Sequence, residues 1–451
     1  MPNDELKDFL RKFALAVKTK VNEHISTGAV QPDNETYFHW KVEKFQYTEK
    51  GVTEHSAHSE YITKKSWFRA IIKLEEIIKK SNEYAFTLEY LNKILGKTDK
   101  SQYYLDRFLN TMISQYLEVE TTKESDVDQL ITTFIKDLRE EPVKCGAEVE
   151  LQGVALQPEK IQPIFGITLR QTKVEDLERE TLVAGFMIES FLPNPSAIMK
   201  IELLGRGIQV IQKEVEKAIA ILRLFKVGGV RWTTYHLFSE SITDIVGGRI
   251  TSGQAPALET YTIEEEDIPK LKKFWKIMND SIPDSFYWTS PTTDHLTIAY
   301  KRYSDSLLEN GLLERRIANA VMGLEALILK PGEIQELPYR LGVRVSKIFA
   351  LLGYDPHETK KAIIGAYKVR NLFAHGGQLS YEGKKKLESR YKDPKNLLLS
   401  ILNYLRILMI VMMLSKREKD EFIDLVDNSL IDRKYEEQFN GVISQAKEVL
   451  W

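Results

Sequence analysis

Residues 367–377 read YKVRNLFAHGG, and this stretch decides how the C-terminal third of the chain is expected to fold. Val369, Leu372 and Phe373 place apolar side chains at helical spacing, so the stretch is predicted to close an amphipathic helix. The glycine pair at its end favours a helix terminus there, because glycine adopts a left-handed backbone without steric cost. Three polar residues therefore fall at the end of a helix whose apolar face is packed.

These polar residues are Arg370, Asn371 and His375. Asn371 and His375 are four residues apart, so they share a helix face and can form a hydrogen bond. Arg370 and His375 are five apart, about 140° around an ideal helix, and converge only if the last turn loosens. The alternative is that His375 merely interacts with the helix dipole at the C-terminus.

The sequence on both sides of this stretch also predicts helices. Short connections join the helical patterns, which predicts antiparallel neighbours and hence a bundle. The predicted helices span residues 295–310, 312–329, 339–352, 359–374 and an apolar stretch from Leu397, followed by a terminal helix to Trp451.

Residues 397–414, LLLSILNYLRILMIVMML, are long enough to reach across a bilayer. Asn403 and Arg406 lie in the middle of this stretch, where each would be costly in hydrocarbon. We therefore expect a helix that is buried on all sides, in a core or a dimer contact, and no membrane association.

The preceding part of the chain divides into two regions with different patterns of predicted secondary structure. Residues 1–140 are predicted to form a helical region, interrupted at 31–59 by a loop or a short hairpin. Residues 141–290 alternate strand and helix patterns and predict a mixed α/β domain, with a charged helix at 174–182. With a bundle at 291–451, the fold class is mainly α within a multidomain α+β chain.

Composition and charge limit the classes of function that the chain can have. The 451 residues carry 63 Lys and Arg against 65 Asp and Glu, which excludes a protein that coats nucleic acid along its whole surface. Residues 340–395 nevertheless hold 13 basic and 5 acidic side chains, which indicates a local polyanion site unless they only solvate a helix face. The single cysteine, Cys145, and the charged N-terminus are typical of a cytoplasmic protein.

Familiar catalytic and nucleotide-binding motifs are absent, including the Walker A loop, G-x-G-x-x-G, H-E-x-x-H and G-x-S-x-G. His55 and His58, with Glu54 and Glu60, could hold a metal if that segment were helical, but no further ligand is evident. The sequence therefore predicts neither a metal nor a cofactor.

The C-terminal motifs resemble those of the Apea-like HEPN domain family. Arg370, Asn371 and His375 are similar to the family's R-x(4–6)-H signature. Residues 316–329, RIANAVMGLEALIL, resemble its "ALEALFL" helix, and residues 339–344, YRLGVR, resemble the helix that follows. The resemblance covers about residues 295–451 and extends more weakly to LQGVAL and GITLR within 151–170.

The resemblance implies a metal-independent endoribonuclease with a composite site in a homodimer, without cofactor, acting on RNA such as tRNA. It further implies a prokaryotic defence (antiviral) or toxin-type role, with a trigger sensed by residues 1–290. In this scheme His375 is base or acid, Arg370 holds the phosphate, and Asn371 orients His375 or the phosphate. The expected RNA-binding side chains are Lys360, Lys361, Lys368, Lys384, Lys385 and Lys386.

Glu325 is a carboxylate within an apolar helix and needs a cationic partner, for which Arg340 and Arg344 are the candidates. A structural ion pair that positions the motif helix is favoured over a catalytic role. Tyr367 and Tyr381 could stack a base, although packing explains both equally simply.

Two other functions stay open. One is a non-catalytic HEPN module for dimerisation or RNA binding. The other is a purely structural scaffold, which is favoured if His375 is buried and satisfied by a backbone carbonyl.

Overall fold

The computed structural model shows a mainly helical chain with antiparallel sheet in its middle part. It describes residues 3–48, 50–96, 99–118, 124–182, 195–244, 249–251, 259–288, 294–309, 311–377 and 380–450. The predicted class, mainly α with a mixed α+β portion, is confirmed.

Five helices and a hairpin make up the N-terminal part. The helices are α1 (Asn3–Ser26), α2 (Phe68–Lys79), α3 (Asn82–Leu95), α4 (Asp99–Glu118) and α5 (Glu124–Leu138). The hairpin consists of β1 (Asp33–Thr48) and β2 (Gly51–Ser66), each 16 residues long. It is thus much longer than the loop or short hairpin expected at 31–59. Both of its faces are partly exposed, so the one-sided alternation that marks a strand in sequence is weak.

The middle part contains a six-stranded sheet in the order β10-β9-β3-β8-β6-β5. Its strands are β3 (Val143–Gln152), β5 (Lys160–Ile164), β6 (Ile167–Arg170), β8 (Ala197–Gly205), β9 (Arg231–Ser239) and β10 (Arg249–Thr251). A separate parallel pair is formed by β4 (Val154–Leu156) and β11 (Tyr261–Ile263). Helix α6 (Ile208–Phe225) packs on the sheet, and α7 (Asp267–Ser281) leads out of it.

The helix predicted at 174–182 is wrong. Only Val174–Asp176 forms a turn of 3-10 helix, and β7 (Arg179–Leu182) then pairs with β1. Asp176 accepts hydrogen bonds from the Lys173 amide at 2.7 Å and from Arg170 at 2.6 Å, which stabilises the turn. The chain then extends along the open edge of the hairpin, where it gains backbone hydrogen bonds.

The C-terminal part is a bundle of eight helices in the described residues. They are α8 (His295–Leu308), α9 (Leu313–Ile328), α10 (Leu337–Leu351), α11 (Pro356–Ala374), α12 (Tyr381–Tyr391), α13 (Pro394–Ser415), α14 (Lys419–Asn428) and α15 (Arg433–Leu450). Five of them follow the predicted helices closely, whereas α12 was not predicted and the expected terminal helix is divided into α14 and α15.

Helix α13 is long and apolar enough to cross a membrane by length and composition alone, with mean hydropathy 2.2. About two thirds of that stretch is buried inside the protein, against α8, α9, α11 and α15 among others. Arg406 donates hydrogen bonds to the carbonyls of Leu224 at 2.7 Å and Phe225 at 2.8 Å. The charge that argues against a membrane span therefore binds the C-terminal carbonyls of α6, which a cation favours.

Two hydrophobic cores support these elements. One lies within the N-terminal helices and includes Leu10, Phe108 and Phe134. The other runs without a break from Cys145 in the sheet to Val449 in the last helix. The sheet and the bundle thus share one core, with α13 near its centre.

Candidate functional site

The motif helix ends as the glycines predict. Helix α11 ends at Ala374, His375 is its C-cap, and Gly376 has φ +73°, in the left-handed region. The Gly377 amide donates to the Leu372 carbonyl at 2.9 Å, and the Gly376 amide donates to the Phe373 carbonyl at 3.0 Å. This pair of hydrogen bonds is a Schellman motif, which holds His375 at a defined place at the end of the helix.

Arg370 points towards α9 and is held on three sides. Its Nη2 lies 3.2 Å from Oε2 of Glu325, and its Nη1 donates to Oδ1 of Asn371 at 3.1 Å. The guanidinium carbon lies 5.5 Å from the centroid of the Tyr367 ring, a cation–π distance. The Nε atom of Arg370 is buried and has no hydrogen-bond partner in the described part of the chain. The guanidinium is therefore fixed before any substrate binds.

Tyr367 belongs to this support and not to a base-stacking surface. Its residue exposure is only 4%. Burial, and secondarily a hydrogen bond to Glu325, raises the pKa of Tyr367 to about 12, so the phenol stays protonated at neutral pH. Packing is thus the explanation that the structure favours for Tyr367.

The partner predicted for Glu325 is wrong. Arg344 lies 2.7 Å from both Glu333 and Asp427, and Arg340 lies 3.1 Å from Glu333. Glu325 instead meets Arg370, so an ion pair does link α9 to the motif helix but through a different cation. The sequence offered Arg340 and Arg344 as candidates, and only the way α9 packs on α11 brings Arg370 to Glu325.

His375 is exposed at the helix end. Its amide donates to the Asn371 carbonyl at 3.1 Å. Among the described contacts, none joins the imidazole to Arg370 or to the Asn371 side chain, whose oxygen accepts from Arg370. The predicted hydrogen bond between Asn371 and His375 is therefore not formed. The burial that would favour a purely structural scaffold is not observed either.

One side of α11 carries a row of polar residues, which α10 partly covers at the Lys360 end. At about 100° per residue, Lys360, Lys368, Asn371 and His375 fall within an arc of about 80°. Lys368 is exposed, and the ammonium of Lys360 lies 4.7 Å from the centroid of the Tyr339 ring. We call these four residues the α11 polar face. The sequence did not predict this cation–π contact, because Lys360 and Tyr339 lie on two different helices whose packing the sequence pattern does not show.

The other predicted RNA-binding lysines belong to α11 and α12. Lys361 is exposed and lies 2.8 Å from Glu358. Lys385 is exposed on α12, which begins a few residues after His375 and packs on α13. The side chains of Lys384 and Lys386 lie outside the described residues. Tyr381, at the start of α12, is 81% exposed, so its ring is accessible for contact with a ligand.

Among the described residues, no group of three or more His, Cys, Asp or Glu side chains is placed to hold a metal. His55 and His58 lie on strand β2 and not on a helix, so the helical spacing considered for them does not apply.

Comparison with protein-family models, with curated proteins and with solved structures finds no match for this chain.

Proposed function

We propose that the chain is a metal-independent endoribonuclease of the HEPN type, with a composite site formed by two copies. The observation that carries the proposal is the position of an exposed His375, on the α11 polar face, at the end of the same helix that carries a pre-fixed Arg370. The motif resemblance supports the same reaction, and also a cytoplasmic defence or toxin-type role.

The reaction uses the 2′-hydroxyl of RNA as nucleophile. One imidazole accepts the 2′-hydroxyl proton while O2′ forms a bond to phosphorus. The bond from phosphorus to O5′ breaks, and a second imidazole donates a proton to O5′. The products are a 2′,3′-cyclic phosphate and a 5′-hydroxyl. Arg370 stabilises the negative charge that develops on the phosphorane, and Asn371 holds the guanidinium in place.

Two copies supply the second imidazole. One chain carries one His375 at this site, whereas the reaction needs both an acid and a base. A two-fold interface between the exposed faces of two α11 helices brings the two motifs together. The lysines of these faces would then flank a single groove and attract the phosphate backbone.

A non-catalytic HEPN module is the second candidate. In the single chain the Nη atoms of Arg370 already bind Glu325 and Asn371, and the imidazole of His375 contacts neither Arg370 nor Asn371. This arrangement favours dimerisation or RNA binding without cleavage if pairing leaves it unchanged.

The test is a cleavage assay on tRNA and on unstructured RNA, with EDTA present. We expect cleavage, 2′,3′-cyclic phosphate ends and no action on DNA, which lacks the nucleophile. His375→Ala should abolish cleavage, because the imidazole transfers the proton. His357→Ala is the matched control, since His357 is also exposed and lies at the other end of α11.

Two results would contradict the ribonuclease proposal, and a third would support the second candidate. A strict requirement for Mg²⁺ or Mn²⁺ contradicts the 2′-hydroxyl mechanism. Wild-type cleavage by the His375→Ala variant contradicts the site assignment. RNA binding without any cleavage supports the non-catalytic module.

A further inference from the structure

An exposed aromatic ring lies close to the motif in sequence, just beyond the end of α11. Tyr381 is the first residue of α12 and is 81% exposed. Within the described part of the chain, its side chain forms no hydrogen bond, ring contact or cation–π contact. Both faces of the ring are therefore open to a ligand without any rearrangement of the bundle.

The course of α12 places this ring at the same end of the two helices as His375. At the far end of α12, the hydroxyl of Tyr391 lies 3.4 Å from the position that a Cβ atom on Gly365 of α11 would take. His375 comes ten residues after Gly365, and Tyr381 comes ten residues before the other tyrosine. Each interval rises by about 15 Å along its helix. Since a link of only five residues, 376–380, joins the two helices, α12 returns along α11 and begins beside the motif.

The surroundings of Tyr381 combine positive charge with apolar surface. Lys385 follows it by four residues on α12, so the two side chains share a helix face, and Lys385 is exposed. Leu372, beside Gly377 at the end of the motif, is 36% exposed. Residues 340–395 hold 13 basic and 5 acidic side chains. Such a surface is complementary to a nucleotide, whose phosphate binds the cations while its base stacks on the ring.

We propose that Tyr381 stacks an unpaired base of RNA beside the cleaved phosphate, so that the site selects single-stranded RNA. A base in a duplex is stacked between its neighbours and does not reach the ring, whereas a base in a single strand or loop can turn outward. This inference rests on the proposed function, because it takes RNA as the ligand of the site. It assigns Tyr381 to substrate selection and not to proton transfer.

The first experiment measures binding with full-length His375→Ala chains, so that the RNA stays intact. The probes are a fluorescent unstructured RNA and the same RNA annealed to its complement. We expect Tyr381→Ala to weaken the Kd for the single strand at least fivefold, the loss typical of one base–aromatic stack, and to leave the Kd for the duplex unchanged. Tyr381→Phe keeps the ring and should restore binding. Tyr61→Ala removes a tyrosine that is 71% exposed in the N-terminal hairpin and is the matched control.

A third probe shows whether the ring contacts a base. It is a sugar–phosphate oligomer of the same length that carries no bases. Because this oligomer has no partner for the ring, Tyr381→Ala should leave its Kd unchanged. An equal loss for the single strand, the duplex and the base-free oligomer would show that Tyr381 does not stack a base, and the proposal would be overturned.

Cleavage assays with His375 restored separate this inference from the ribonuclease proposal. We expect Tyr381→Ala to lower kcat/KM at least fivefold on single strands and to leave kcat/KM on duplex unchanged. If wild type cleaves RNA and Tyr381→Ala binds and cleaves as wild type does, the role of Tyr381 is wrong and the ribonuclease stands. If Tyr381→Ala loses single-strand binding but wild type cleaves no RNA, the ribonuclease is wrong and the stacking stands. A wild-type chain that binds no RNA overturns both.

Discussion

Glu325 and Arg370 face each other across the contact between α9 and α11, with Oε2 and Nη2 3.2 Å apart and both side chains largely buried. A carboxylate in an otherwise apolar helix is thus paired with the cation of the proposed site. Because Arg370 is also held by Asn371, its position depends on how α9 packs on α11.

The first prediction concerns this pair. Glu325→Gln keeps the shape of the side chain but removes its charge, so Arg370 loses its ionic partner and is free to shift. We expect kcat/KM for RNA cleavage to fall about 10²-fold, the scale of a misplaced catalytic group. Glu358→Gln, which breaks the exposed pair with Lys361, is the control and should have no effect. Full activity in Glu325→Gln would show that the pair does not position Arg370.

The second prediction concerns assembly. Wild-type and His375→Ala chains are mixed in equal amounts and allowed to exchange subunits. If each site needs two imidazoles, only the dimers of two wild-type chains cleave, about one quarter of the total for random pairing. Activity should therefore fall to about one quarter and not to one half. Activity proportional to the wild-type fraction would mean that each chain acts alone.

The third prediction concerns charge on the α11 polar face. Lys368→Gln should weaken binding of single-stranded RNA and lower the slope of log K against log salt by about 0.7 if one phosphate contact is lost. Fluorescence anisotropy at several salt concentrations measures both. Lys434→Gln on α15 also removes an exposed lysine and is the control. An unchanged slope in Lys368→Gln would mean that this lysine only contacts solvent.

The fourth prediction concerns acid stability. The guanidinium of Arg344, hydrogen-bonded to Glu333, lowers the pKa of that carboxyl from 4.5 to about 2. A depressed pKa stabilises the folded state above the unfolded value, and this stabilisation disappears as pH falls from about 4.5 to about 2. We expect wild type to exceed Glu333→Gln by about 3 kcal/mol in unfolding free energy at pH 6, and by progressively less below pH 4.5. Urea unfolding at several pH values measures the difference. A gap that stays constant with pH would contradict the coupling.

The fifth prediction concerns Arg406. Arg406→Met keeps an apolar stem but leaves the carbonyls of Leu224 and Phe225 without their donor. We expect unfolding free energy to fall by about 2–5 kcal/mol, because buried carbonyls lose hydrogen bonds. Arg417→Met, an exposed change two residues after α13, should have little effect. An unchanged unfolding free energy in Arg406→Met would show that water replaces the guanidinium.

Periodic signals predicted much of this fold. The apolar spacing located α8, α9, α10 and α11 closely, and the glycines after His375 located the end of the motif helix. These features are local, since they depend on side-chain period and backbone freedom. The prediction failed at residues 174–182, where a polar segment pairs with a distant strand edge and its own sequence carries no sign of that edge.

For the candidate site, the sequence predicted where its residues lie but not what they contact. Arg370, Asn371 and His375 lie at the helix end as expected. Asn371, however, binds Arg370 and not His375. The contact partners of these side chains depend on how one helix packs on another. The spacing of residues along the sequence does not encode that packing.

The shared core of the sheet and the bundle has a practical consequence. A fragment that begins near residue 291 would carry every motif residue yet lack α6, whose end Arg406 binds, and the apolar side chains of the sheet that complete its interior. Such a fragment would leave Arg406 without the carbonyls of α6 and a broad apolar surface open to self-association. If the excised bundle were inactive, the cause would be the disrupted hydrophobic core and not the chemistry of His375. Activity should therefore be assayed with the intact chain.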